Sequence, residues 1–83
     1  MLIIKVLGPG CQNCQNVEKA ARAAVANLGV EAEFIHVTQR ADIYKYPILG
    51  TPGLVINEKV VSAGRIPSVD EVTAWVADAL QAG

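Results

Sequence analysis

The stretch Leu2-Ile3-Ile4-Lys5-Val6-Leu7-Gly8-Pro9-Gly10-Cys11-Gln12-Asn13-Cys14 decides how this chain folds. Positions 2 to 7 are apolar on both alternating faces except at Lys5, the pattern of a strand covered on two sides near the centre of a sheet. Gly8-Pro9-Gly10 breaks that strand. Val17, Ala21, Ala24, Val25 and Leu28 then recur at helical period until Gly29, which supplies the stop. The C-x-x-C pair therefore falls on a strand-to-helix junction, with Cys11 at the helix N-terminus and Cys14 one turn inside.

Those two positions differ chemically. Unpaired N–H groups and the positive end of the helix dipole favour a thiolate at Cys11, lowering its pKa from the ordinary value of about 8.5. Cys11 is the expected attacking sulfur. Cys14 lies on the same side of the helix one turn later, shielded by the turn above, where it can reach back to resolve a mixed disulfide.

Beyond the helix, Val30 to Val37 is extended in character, and Glu31, Glu33 and His36 suit an edge position. Strand, helix and strand with short connections make a parallel βαβ unit. Gln39 to Tyr46 predicts two helical turns with Ile43 and Tyr44 facing inward, ended by Pro47. Leu54-Val55-Ile56 and Val60-Val61 flank Asn57-Glu58-Lys59 and predict a β-hairpin. Ser68 with Glu71 three residues later is a capping box, and Val69, Val72, Val76, Ala79 and Leu80 carry the stripe of a closing helix. The expected class is α/β, a single βαβαββα domain over residues 1–83. Its four-stranded mixed sheet has order 2-1-3-4, with the first and last helices on one face and the short middle helix on the other.

Thr51-Pro52 enters the third strand, where proline is tolerated only at the first residue or at a special turn. A cis peptide is expected there, presenting the N–H and C=O of Thr51 toward the cysteines and toward an extended substrate strand. Gly64, at the end of the hairpin, adds a loop at the same sheet edge where a partner backbone can approach closely. Gly10, Thr51, Pro52 and Gly64 are accordingly the candidate substrate-binding residues around Cys11 and Cys14.

Composition narrows the function. Hydrophobic residues at 52% with 18% charged exclude a disordered chain. A net charge of -1 without a Lys/Arg run excludes the electrostatic footprint of a nucleic-acid binder. The apolar runs are far shorter than the roughly 20 residues of a membrane span, and Met1 to Lys5 lacks a signal-peptide pattern, so a cytoplasmic protein is expected. Two cysteines do not make a structural disulfide framework; their spacing carries the information.

Three motifs in register resemble the thioredoxin superfamily: Leu7-Gly8-Pro9-Gly10-Cys11-x-x-Cys14, Thr51-Pro52-x-Leu54-Val55-Ile56-Asn57 and Val61-Ser62-Ala63-Gly64-Arg65-x-Pro67-Ser68. The resemblance spans essentially the whole chain and is greatest to the small, glutaredoxin-sized thioredoxin-like proteins of archaea and bacteria called redox-active disulfide proteins. It implies a thioredoxin-like fold, thiol–disulfide exchange by Cys11 and Cys14, and a cis Pro52 beside them. Thioredoxins proper carry Trp before the first cysteine, Gly-Pro between the pair and a buried acid on the preceding strand. Here those places hold Gly10, Gln12-Asn13 and, as the one charge on that strand, Lys5.

A C-x-x-C can also be half of a thiophilic metal site, though two further ligands are missing and His36, the one histidine, lies on the edge strand. A dithiol module that holds a metal or metalloid without turnover is thus the alternative, and a partner-binding domain a third class. The primary reading needs no cofactor and no metal. Its partners are protein disulfides and an unidentified reductase, and the chain is expected to act as a monomer. Among other residues, Trp75 is expected in the core, and Tyr44 and Tyr46 either line the substrate groove or pack on the sheet. Lys5 either snorkels outward or lies beneath Cys14, and Arg65 is a solvated loop charge.

Overall fold

A computed structural model describes residues 2–10, 12–48 and 50–82 of the chain. Their elements run β1 (Leu2–Leu7), α1 (Gln12–Leu28), β2 (Ala32–Val37), α2 (Arg40–Ile43), β3 (Gly53–Ile56), β4 (Lys59–Ala63) and α3 (Val69–Ala82). The sheet has the order β2-β1-β3-β4. β1 pairs in parallel with β2, and the β1–β3 and β3–β4 pairs are antiparallel. This is the thioredoxin-like α/β arrangement expected from the sequence.

Strand parity sorts the core into two layers. Leu2, Ile4 and Val6 pack with Leu54 and Ile56 under α1 and α3, against Val17, Ala21, Ala24, Val72 and Val76. Leu7 and Val55 pack on the opposite face with Ile43 and Ile48. β3 is buried at all four residues, since helices or loops cover both of its faces. β2 is an edge strand, with Glu33, Ile35 and His36 exposed.

Local chemistry sets the boundaries. Gly29 adopts φ +65°, its N–H bonds to the Ala26 carbonyl, and the Val30 N–H reaches back to Val25, which together form a Schellman stop for α1. The hairpin turn is tighter than the three residues expected: Asn57 and Glu58 alone, at φ +49° and +68°, connect Ile56 to Lys59 in the primed-turn geometry that matches strand twist. Asn57 Oδ1 also accepts from the Ile3 N–H at 2.9 Å, extending the β1–β3 ladder. The capping box is formed, with the Glu71 N–H donating to Ser68 Oγ and the Ser68 N–H to Glu71 Oε1, each at 3.1 Å.

Three expectations need adjustment. The helix expected over Gln39–Tyr46 is shortened to Arg40–Ile43, because the next N–H groups, of Lys45 and Tyr46, bond three residues back and tighten the chain before Pro47. In that geometry Ile43 is buried and Tyr44, expected to face inward, is 65% exposed. Leu80, expected on the buried stripe of α3, is 45% exposed.

Candidate functional site

One edge of the sheet collects the ends of all four strands. Leu7 is level with Val37 and with Gly53, and Gly53 is level with Ala63. The segments after β1, β2 and β4 and the segment before β3 therefore emerge side by side. Cys11, the expected nucleophile, lies outside the described residues.

Cys14 is in the first turn of α1, 1% exposed, within the core layer formed with Val17, Leu54 and Val72. Its Sγ lies directly against Gly8, and a Cβ built on Gly8 would collide with it. The same Cβ would lie 3.8 Å from Thr51 Cβ. Gly8 also continues the β1–β2 ladder, its N–H donating to the Val37 carbonyl at 2.9 Å. The missing side chain thus lets the strand end, the first turn of α1 and the Thr51 loop meet.

The Thr51–Pro52 peptide is cis, as expected. Pro52 is buried, and its carbonyl accepts from the Gly64 N–H at 2.9 Å, tying the end of β4 to the loop. Gly64 has φ +76°, a conformation that favours glycine. Thr51 is exposed, and its backbone makes no hydrogen bond to another described residue. Gly10, at φ +88°, is exposed with open space around it. Thr51, Pro52 and Gly64 thus gather in one place beside Cys14, and Gly10 stands on the adjoining loop.

A groove of about 280 Å³ opens next to this cluster, lined by Pro9, Thr38, Arg40, Ile43, Tyr44 and Thr51. Of the two tyrosines, Tyr44 lines it and Tyr46 does not. Gly8 and Arg40 were missed by sequence reasoning. Both had a signal: a parallel β1–β2 pair brings the residues after β2 to the same edge as those after β1, and a glycine six residues before a buried cysteine sits where close packing is needed.

The charges around the site are mostly paired. Lys5 is on the face opposite Cys14, level with Ile35 and Val55, and its Nζ reaches out to Glu58 Oε1 at 2.6 Å and Tyr46 Oη at 2.9 Å. It snorkels, and these hydrogen bonds raise its pKa, first through Glu58 and then Tyr46. Glu58 is held below the ordinary carboxylate range by the same contact with Lys5. Arg65 is not a free loop charge: its guanidinium grips both oxygens of Glu71, at 3.0 and 2.6 Å. That contact, followed by the Ser68 N–H, pushes the Glu71 carboxyl down from 4.5 to about 2. His36 Nε2 lies 2.6 Å from Glu18 Oε1, while Glu18 Oε2 accepts from Arg22, the main cause of its lowered pKa. Among the described residues, no three His, Cys, Asp or Glu side chains gather as a metal site requires, and no helix is long and apolar enough to cross a membrane.

Residues 2–77 match a family model described as a thioredoxin domain. A thioredoxin of Methanothermobacter thermautotrophicus is 38% identical over 72 residues, which cover 87% of this chain and 94% of that protein. A thioredoxin of Methanocaldococcus jannaschii is 35% identical over 72 residues, covering 87% of this chain and 83% of that one. Among solved structures, a thioredoxin-2 described as a component of malaria parasite protein secretion machinery superposes with a TM-score of 0.67, covering 94% of this chain and 82% of that one. At 13% identity that likeness is one of fold.

Proposed function

The chain belongs to the thioredoxin family, and on that premise we propose that it is a thiol–disulfide oxidoreductase that reduces protein disulfides through Cys11 and Cys14. The Cys11 thiolate attacks one sulfur of a substrate disulfide, forming a mixed disulfide and releasing the first substrate thiolate, which takes up a proton. The Cys14 sulfur, giving up its proton, then attacks Cys11 Sγ and displaces the second substrate thiolate. Two electrons pass to the substrate, and the Cys11–Cys14 pair ends as a disulfide. A separate reductase restores the dithiol.

The observation that carries this reading is the contact of Cys14 Sγ with Gly8 beside Thr51. The second cysteine of the motif lies close to the loop where the Thr51 backbone N–H and C=O make no hydrogen bond to another described residue. An extended substrate pairing with Thr51 would present its sulfur at the motif. Gly10 and Gly64, without side chains, leave room for that backbone.

The test uses two single variants and a substrate disulfide in excess. Cys11→Ser is expected to abolish exchange, whereas Cys14→Ser is expected to stall as a covalent mixed disulfide visible by mass. Turnover by Cys11→Ser, with no adduct on Cys14→Ser, reverses the roles. Metal retained stoichiometrically by a pair that never closes to a disulfide in redox buffers moves the function to a metal-binding module.

A further inference from the structure

The groove beside the motif carries an unopposed charge. We propose that Arg40 selects protein disulfides whose reacting cysteine is flanked by an acidic side chain, an inference that rests on the disulfide-exchange reading above. The groove runs from Pro9, two residues before Cys11 in the chain, and Thr51 across to Ile43 and Tyr44. Buried Ile43 and exposed Tyr44 give it an apolar floor and an aromatic wall. Arg40 is the one charged residue lining it among the described residues.

The neighbouring charges are committed elsewhere. Asp42 pairs with Lys45 at 3.1 Å and lines a separate cavity with Lys5 and Glu58. Arg65, the cation that follows Gly64, is held at both nitrogens by Glu71. The Arg40 side chain makes no hydrogen bond or ion pair with any described residue; its backbone carbonyl accepts from the Tyr44 N–H at the end of α2. A planar guanidinium with no partner among the described residues, lining an open groove, favours a carboxylate in bidentate contact and disfavours a lysine.

The geometry of an extended substrate supplies the rest. Residues of a strand paired with the Thr51 backbone alternate between two sides. Thr51 itself lines the groove with Arg40, so on this proposal a neighbour of the reacting cysteine enters it. Its aliphatic stem would rest against Tyr44 and its carboxylate would meet Arg40.

The experiment measures reduction of synthetic disulfide-linked peptides, identical except for Asp, Asn or Lys beside the cysteine, by the reduced full chain, its Arg40→Gln variant and its Arg40→Glu variant. Intrinsic peptide reactivity cancels when the Asp:Asn rate ratio is compared between proteins. Arg40→Gln is expected to lower that ratio by about three-fold, the scale of an exposed ion pair. Arg40→Glu is expected to turn the preference toward the Lys peptide. The difference in that ratio between the wild type and Arg40→Gln is expected to vanish at 1 M salt, where the screening length is about 3 Å.

An Asp:Asn ratio that is the same in all three proteins overturns the proposal while leaving exchange intact. A loss on Arg40→Gln seen with oxidised glutathione alone, and with none of the peptides, also overturns it, because the carboxylate recognised is then the tripeptide's. If the wild type reduces no peptide at all, the exchange reading fails and the proposal fails with it.

Discussion

Gly8 and Cys14 pack with no room between them, so that a single methyl group on the strand end would occupy the space held by the cysteine sulfur. Gly8 does not have a positive φ, so the demand for glycine here is steric and not conformational. Cys14 is buried in the first turn of α1 and its side chain is short, so it cannot swing clear as a long side chain would.

Gly8→Ala is therefore expected to destabilise the protein by about 1–3 kcal/mol, the cost of overpacking a filled core. It should also slow release of the mixed disulfide, since Cys14 must move from its position. A double-mutant cycle with Cys14→Ala isolates the contact: removing the sulfur should recover at least about 0.5 kcal/mol of the loss in denaturant titrations. Costs that simply add would mean the two residues do not press on one another.

Gly29 provides the contrast, because its requirement is conformational. It sits at φ +65° with nothing near its Cβ direction, far along the chain from the motif. Gly29→Ala is expected to cost about 1 kcal/mol through the left-handed backbone alone. Peptide-reduction rates should stay at the wild-type level. A change in those rates, with stability unaltered, would contradict this division between the two glycines.

Much of this arrangement was legible beforehand, for reasons that can be traced to particular residues. The apolar run Leu2–Leu7, the Gly29 stop and the Ser68/Glu71 box each encode their element locally, and the short connections leave few topologies. The side of the sheet taken by Lys5 was not legible. Its parity places it with Ile3 and Leu7, but both sets of β1 residues are apolar, so periodicity does not say which set faces α1. The length of α2 was also hidden, since Pro47 bounds the segment without revealing that Lys45 and Tyr46 bond three residues back. Arg40 was overlooked because no pattern within the chain marks an exposed cation that the folded β2–α2 connection brings beside a groove.

Ser62 is the one buried polar residue among the described residues. It is level with Leu54 and so faces the α1/α3 layer, 8% exposed, and its Oγ has no hydrogen-bond partner among them. A hydroxyl desolvated without a partner opposes folding. Ser62→Ala, which removes it and leaves the Cβ, is expected to stabilise the protein by about 1 kcal/mol in a urea titration. A loss of stability of similar size would mean that the hydroxyl is bonded in solution.

The acid limb of the stability profile should report on Glu71. In the unfolded chain this carboxyl titrates near 4.5, and in the folded protein the Arg65 guanidinium and the Ser68 N–H hold it at about 2. Between those values the unfolded chain binds the proton more readily, so stability falls as pH falls through the window. Above it, both states are ionised and the contribution is complete. Glu71→Gln keeps an acceptor for the capping box but carries no charge, which isolates the titration from the cap geometry. The wild type is therefore expected to have the higher Tm, by a constant margin above about pH 6. That margin should close as pH falls from 4.5 toward 2. Glu18 and Glu58, also held below the ordinary range, act in the same direction but are present in both proteins and cancel in the difference. A margin that stays constant down to pH 2 would show that Glu71 contributes through packing and the cap alone, and that the Arg65 pair is too solvated to hold the carboxylate ionised.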